Sequence, residues 1–408
     1  MSRIEPLLER ILALDASDLY LTVGSPPVFR VEGVAVPANE PALNEADTVA
    51  LAEEAMSDPR QREEFAKMKE MNLALALDGR GRFRCNIFQQ RNAVGLVIRQ
   101  IKLKVPTIDE LDLPSVLKDL SLTKRGLVLV TGATGSGKST TQAAMIDYRN
   151  SITSGHIITI EDPVEFMHRH KKSIVTQREV GFDTLSFHEA LRNTLRQAPD
   201  VILIGEVRDE TTMEAAITFA ETGHLCLATL HSNNANQSIE RIINFFPAIR
   251  HPQIYLQLSL NLRGIVSQRL IAGTNGKRVA ALEILLDTPR VKDLIKKGEV
   301  DTLKEALEQG TNEGCQTFDE SLFRLASEGK IDTEQALANA DSANNLRIRL
   351  RNEEMAKGQA DEKEAPSFRL QDPAHARKLS AAPRPIQTRS GGSGGFPRAA
   401  ASPVTLKR

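Results

Sequence analysis

The fifteen residues GLVLVTGATGSGKST, at 126–140, constrain the folding of this chain more than any other segment. An apolar run that reads as a buried strand leads straight into Gly132-x-x-x-x-Gly137-Lys138-Ser139, and a helical pattern over 138–149 follows without a break. Strand, glycine-rich turn and helix in that order belong to a parallel α/β sheet with helices packed on its faces. The glycines let the backbone curl so that its N–H groups face inward, and the helix N-terminus adds a dipole that favours negative charge. Such a turn is a cradle for phosphates. Lys138 is placed to reach the β- and γ-phosphates of a nucleotide, and the Ser139 hydroxyl to ligate Mg²⁺. The loop Gly132, Ala133, Thr134, Gly135, Ser136, Gly137, Lys138, Ser139 and Thr140 is therefore expected to hold Mg-ATP.

Three further apolar runs, HIITIED, DVILIGE and HLCLATLH, alternate with helical segments at 187–197 and 210–221, and 264–272 and 278–286 read as two more strands. Each of the three runs ends in polar residues, at the edge where ligands of open α/β sheets collect. After the first come Glu161, Asp162 and Glu165, of which phosphoryl chemistry needs one to orient or deprotonate the attacking water and others to steer a metal's water shell. The second ends in Glu206, with Gly205 where an aspartate commonly stands, so Glu206 alone is expected to steer Mg²⁺, through water. His224 and His231 bracket the third. Two side chains at opposite ends of one strand cannot meet the same phosphate, so one senses the γ-phosphate and the other relays to a neighbour; spacing does not choose between them.

Before the phosphate loop the pattern is different. The segment IEPLLERILAL has helical spacing, strands are expected at 18–23 and 27–31, helices at 47–56 and 60–69, and a meander at 73–77, 81–89 and 94–101. Residues 1–101 thus read as a small α+β domain, 102–114 as a linker with two prolines, and 115–350 as the α/β core. From residue 351 the chain is expected to be a disordered tail, rich in Pro, Ser, Ala, Gly and Arg, with eight basic residues against one acid from Pro366 onward. Over the whole chain charge nearly cancels, with Lys plus Arg totalling 52 and Asp plus Glu 53, which gives no signature of a dedicated nucleic-acid binder. Cys85, Cys226 and Cys315 form no CxxC pair, which argues against a zinc site or a disulfide framework and suits a reducing cytosol. With no apolar run of membrane-spanning length, the protein is expected in the cytoplasm.

In their order, GATGSGKST, TIEDPVEF, DVILIGEVRD and TGHLCLATLH resemble the phosphate loop, aspartate box, metal strand and histidine box of the secretion and type IV pilus ATPase superfamily, over about residues 1–350. The resemblance implies a PAS-like α+β N-terminal domain joined to a RecA-like P-loop ATPase core, with six subunits in a ring. It assigns catalysis to Glu165, metal steering to Glu206 and the histidine box to His224 and His231. Arg82, Arg84 and Arg99 are the N-terminal arginines that could approach the phosphates.

The absence of a four-cysteine insertion and of a long N-terminal extension makes the chain similar to the retraction ATPases of the PilT/PilU type. Where PilT proteins carry AIRNLIREGK, this chain has RVKDLIKKGEV after Pro289, and together with the long tail this is closest to the PilU type. The implied partners are a homo-hexamer, a PilT-like retraction ATPase and the pilus platform protein at the inner face of the cytoplasmic membrane. The alternatives are an assembly or secretion ATPase of the same superfamily, against which the missing cysteines speak, and a non-hydrolysing regulatory module, against which the intact Glu165 speaks.

Overall fold

Apolar residues alternate through the first hundred positions and run unbroken through the strands that follow, and two different sheets result. A computed structural model describes residues 2–364 apart from Asp78, and the chain divides by its contacts into Met1–Glu354 and Met355–Arg408. The first sheet is built from β1 (Asp18–Leu21), β2 (Val28–Val31), β3 (Val34–Pro37), β4 (Glu70–Leu77), β5 (Gly81–Gln90) and β6 (Ala93–Ile101), in the order β3-β2-β1-β6-β5-β4, every neighbour antiparallel. Strands β4 and β5 bury alternate residues, as in Phe83, Cys85 and Ile87 of β5, because one face packs on helices and the other does not. Helices α1 (Glu5–Ala13) and α2 (Glu45–Ala55) share that core through Leu8, Ile11, Leu51 and Ala52, and α3 (Pro59–Met68) lies against β4. Asn44 and Asp58 cap α2 and α3, each in a reciprocal capping box that satisfies the first free N–H groups.

After α4 (Val116–Leu122) the second sheet takes over. Its strands are β7 (Gly126–Thr131), β8 (Gly155–Glu161), β9 (Ser173–Glu179), β10 (Val201–Ile204), β11 (Leu225–Leu230), β12 (Leu262–Ala272) and β13 (Arg278–Leu286). They lie in the order β13-β12-β7-β11-β10-β8-β9, parallel throughout except for the β12–β13 hairpin. All of β7, β10 and β11 is buried, as expected of strands covered on both faces. The helices α5 (Lys138–Ile152), α6 (Phe187–Thr194), α7 (Glu210–Glu221), α8 (Ala235–Asn244) and α9 (His251–Asn261) supply that cover. Then come α10 (Pro289–Lys297), α11 (Leu303–Gln309), α12 (Phe318–Ser327), α13 (Thr333–Asn339) and α14 (Ala343–Glu364).

The mixed α/β architecture expected from the sequence is present, with two strands that the sequence reading did not include. β3, Val-Ala-Val-Pro, is an exposed edge strand of only four residues that ends in a proline, and β9 is an edge strand buried on one side only, with polar residues through its second half. Helix α14 continues past residue 351, where the tail was expected to begin; Leu346 and Leu350 pack against α12, and the following Glu, Ala, Lys and Gln residues are good helix formers. The remainder of the expected tail, 365–408 with its basic residues, lies outside the described residues. All three cysteines are free and buried, and burial pushes the Cys85 thiol up to about 12. Among the described residues no helix is long and apolar enough to cross a membrane.

Candidate nucleotide site

Parallel strands end together, and here β7, β8, β10 and β11 deliver their carboxyl ends to one edge of the sheet. Register places Leu230 beside Thr131, and Ile204 beside both Ala228 and Ile160, so the residues that follow these strands are neighbours in space. Those residues are the phosphate loop, the carboxylates after β8, Glu206 and His231.

The loop has the shape of an anion cradle. Gly132, Gly135 and Gly137 have φ of 149, 77 and 91°, and a Cβ on Gly132 or Gly137 would lie 2.5 Å from the Gln268 carbonyl oxygen or 2.7 Å from the Gln268 side-chain nitrogen. The Ser136 hydroxyl is buried without a hydrogen-bond partner, a polar group whose desolvation a phosphate oxygen would offset. Lys138 starts α5 and is 8% exposed; its ammonium donates to the carbonyls of Gly132 and Ala133, both at 2.9 Å. Burial lowers its pKa, and the nearby Glu206 carboxylate opposes that shift. Ser139, one residue on, is exposed. Among the described residues no three His, Cys, Asp or Glu side chains gather as a metal cage. The donor set present, one hydroxyl and one carboxylate beside a phosphate cradle, suits Mg²⁺, which keeps waters and takes phosphate oxygens.

Glu206 is the hub of the polar edge. One oxygen lies 3.1 Å from His231 Nε2, and the other is 2.7 Å from Arg208, whose guanidinium also reaches Asp162 at 3.5 Å. Burial and the positive charge of Lys138 hold His231 below its ordinary pKa against the pull of Glu206, so near neutrality the imidazole is uncharged and Nε2–H donates to the carboxylate. His224 is elsewhere. It sits at the opposite end of β11, where its ring meets Thr222 Oγ1 at 3.0 Å and the Phe219 carbonyl at 3.2 Å. Of the two histidines only His231 is at the nucleotide edge.

The carboxylates after β8 face different surroundings. Glu161 turns inward and accepts from Thr159 Oγ1 at 2.6 Å and Gln177 Nε2 at 3.4 Å; desolvation pushes its carboxyl up to about 7. Asp162 and Glu165 are exposed. The shift of Glu161 has a stability consequence. Its folded-state pKa lies above the ordinary 4.5, so the folded protein binds the extra proton between pH 4.5 and 7, and stability falls as pH rises through that window. Glu161→Gln should flatten this decline, as read from melting temperature between pH 5 and 8; an unchanged slope would remove Glu161 as its source.

The first sheet presents its arginines to this segment. Arg82 and Arg84 share one face of β5, and Arg84 pairs across to Arg99 on β6. Arg82 lies 3.7 Å from the Met167 sulfur; burial raises the pKa of Glu179 against the opposing pull of the Val164 amide, which donates to it at 3.2 Å, and of the Arg84 and Arg82 charges. Arg99 is engaged with buried Asp18 at 2.8 Å and also senses the charge of Glu165. A backbone hydrogen bond ties the two parts together, the Met167 amide donating to the Lys102 carbonyl just after β6 at 3.2 Å.

The sequence reading did not single out Arg208, Gln268, Asn233 or Arg241. Arg208 stands inside the quoted DVILIGEVRD, and its signal was a cation two residues from Glu206. The others line the cavities beside the loop: one of about 340 Å³ with Gly132–Ser136, Asn233, Gln268 and Arg278, and one of about 560 Å³ with Ala133, His231, Asn233, Gln237 and Arg241.

Comparison with known proteins agrees with this geometry. The family model for type II/IV secretion system proteins matches residues 2–365. The type IV pilus ATPase PilU of Pseudomonas aeruginosa is 54% identical over 348 residues, covering 85% of this chain and 91% of that protein. The chain belongs to the type II/IV secretion system family, among its type IV pilus retraction ATPases. The retraction ATPase PilT of the same organism is 45% identical over 331 residues, 81% of this chain and 96% of its own length. A crystal structure of the retraction motor PilT with bound ADP superposes with a TM-score of 0.80 at 40% identity, covering 85% of this chain and all of that one. The activity is ATP hydrolysis, and the fold that carries it is the PilT-like one described above.

Proposed function

We propose that the chain is a Mg²⁺-dependent subunit of a homo-hexameric ring motor that drives type IV pilus retraction and twitching motility, acting beside a PilT-like motor. The observation that carries the reading is the meeting of Lys138, Glu206, Arg208 and His231 at one sheet edge, in a chain similar over most of its length to PilU and PilT. In this reading Lys138 and the loop amides bind the β- and γ-phosphates, and Glu165 orients the attacking water. Ser139 and Glu206 would hold Mg²⁺, which supplies charge neutralisation on the phosphates. His231 reports the γ-phosphate to Glu206, while Arg82, Arg84 and Arg99 are the cations of the first sheet that approach when the two parts close. The motor would work in the cytoplasm, against the pilus platform at the inner face of the membrane.

The accessory role rests on α10. Val291, Leu294 and Ile295 are buried as a core-facing stripe, and the outward face carries Arg290, Lys292, Asp293, Lys296 and Lys297. A helix that keeps its stripe still folds against the domain, so its altered charged face acts on what it engages. Expressed as the sole retraction ATPase in a cell lacking its PilT-like partner, the protein should hydrolyse ATP yet leave labelled pili extended. Sustained retraction in those cells would make it an autonomous motor.

A further inference from the structure

Behind the phosphate loop runs a buried polar row that the site does not yet account for. In the row beneath it, Leu129, Ile265 and Leu285 are register partners across β7, β12 and β13, and all are apolar. One step up, on the same face, the partners are Thr131, Ser267 and Glu283. Thr131 and Ser267 are fully buried and Glu283 is 5% exposed. Hydrogen bonds run along the row in one direction: Thr131 Oγ1 donates to Ser267 Oγ at 3.1 Å, and Ser267 Oγ donates to Glu283 Oε1 at 3.2 Å. The same Oε1 accepts from the Ala235 amide at 2.7 Å.

The two ends of this row are places where the chemistry needs accurate placement. Thr131 directly precedes Gly132, the first residue of the phosphate loop. Ala235 opens α8, and the link from β11 into α8, residues 231–234, crosses the loop; Asn233 lines the cavities on both sides of it, and His231 binds Glu206. Burying a carboxyl among strands costs desolvation free energy, and three apolar side chains would fill the row more cheaply if filling were all it did.

We propose that Glu283 is a positioning residue for ATP hydrolysis, tying the end of the phosphate-loop strand to the first turn of α8 and so holding His231 and Asn233 against the loop. It touches neither nucleotide nor metal. The link requires an acceptor oxygen at Oε1 and a hydroxyl on each neighbouring strand, and it makes Thr131, Ser267 and Glu283 act as one unit.

The full-length protein tests this through four variants, Thr131→Val, Ser267→Ala, their double and Glu283→Gln, with kcat, KM for ATP and melting temperature measured for each. Val matches Thr in shape and Ala removes one oxygen, so these changes cut the link with little change of volume, and the partner left unsatisfied is read in the melting temperature. Each single variant should lower kcat roughly tenfold with KM within about twofold, since phosphate contacts survive while the placement of His231 does not. The double should be no slower than the worse single, because both cut the same connection. Glu283→Gln keeps an oxygen acceptor and should retain most of kcat. The proposal is overturned if Ser267→Ala turns over normally, if the two losses multiply in the double, or if kcat falls only as far as the folded fraction does.

Discussion

Replacing Lys138 with alanine is expected to abolish ATP hydrolysis, lowering turnover by roughly a thousandfold or more, and to weaken nucleotide binding as well. The reason is visible in what surrounds the ammonium. It is the only lysine on the loop, it is buried, and its present partners are the carbonyls of Gly132 and Ala133, which hold a cation at the floor of the cradle in readiness for phosphate. Charge developing on a phosphoryl group in so desolvated a site is stabilised by a fixed cation far more than it would be in water. Arg208 cannot substitute, because its guanidinium is committed to Glu206 and Asp162. Phosphate release and labelled-nucleotide binding should fall together. A variant that turned over at the parental rate would mean that the phosphates sit elsewhere.

That loop was the most legible part of the molecule in its sequence, for a physical reason. A strand, its turn and the next helix are consecutive in the chain, so the local pattern that builds the cradle can be read locally. The carboxyl ends of β8, β10 and β11 were legible in the same way, since each strand has a buried apolar run that ends where its polar residues begin. What the sequence could not show was how those ends share partners. Arg208 joining Glu206 to Asp162, and Ser267 joining Thr131 to Glu283, are pairings across strands separated by up to 136 positions, fixed by register rather than by spacing. The two histidines illustrate the same limit. Spacing put them at opposite ends of β11, and only the direction of the parallel sheet decides that His231 is at the nucleotide edge while His224 caps the other end. The strands β3 and β9 escaped notice because both lie at sheet edges: β9 need not hide both faces and is polar through its second half, and β3 is only four residues long and ends in a proline.

The choice of catalytic carboxylate is where sequence and structure bear on each other most closely. A general base that deprotonates water must be ionised near neutrality and open to the water it acts on. Glu161 meets neither condition well: it is hydrogen-bonded to Thr159 and Gln177, and desolvation pushes it up to about 7, so near neutral pH it is protonated for much of the time. Asp162 is exposed but faces Arg208, which already links it to Glu206. Glu165 is exposed, and its charge is felt by Arg99 on the opposing sheet, which places it on the side where the arginines approach. Glu165→Gln should therefore keep ATP binding and slow turnover by roughly a hundredfold or more, because the amide retains the shape of the side chain but cannot take the proton. Glu161→Gln, which removes a group already held partly neutral, should cost less than about tenfold in the same assay. The comparison is decisive in either direction: if the Glu161 variant proved the slower of the two, the inward-facing carboxyl would be the base and its raised pKa would be tuned for proton transfer at neutral pH.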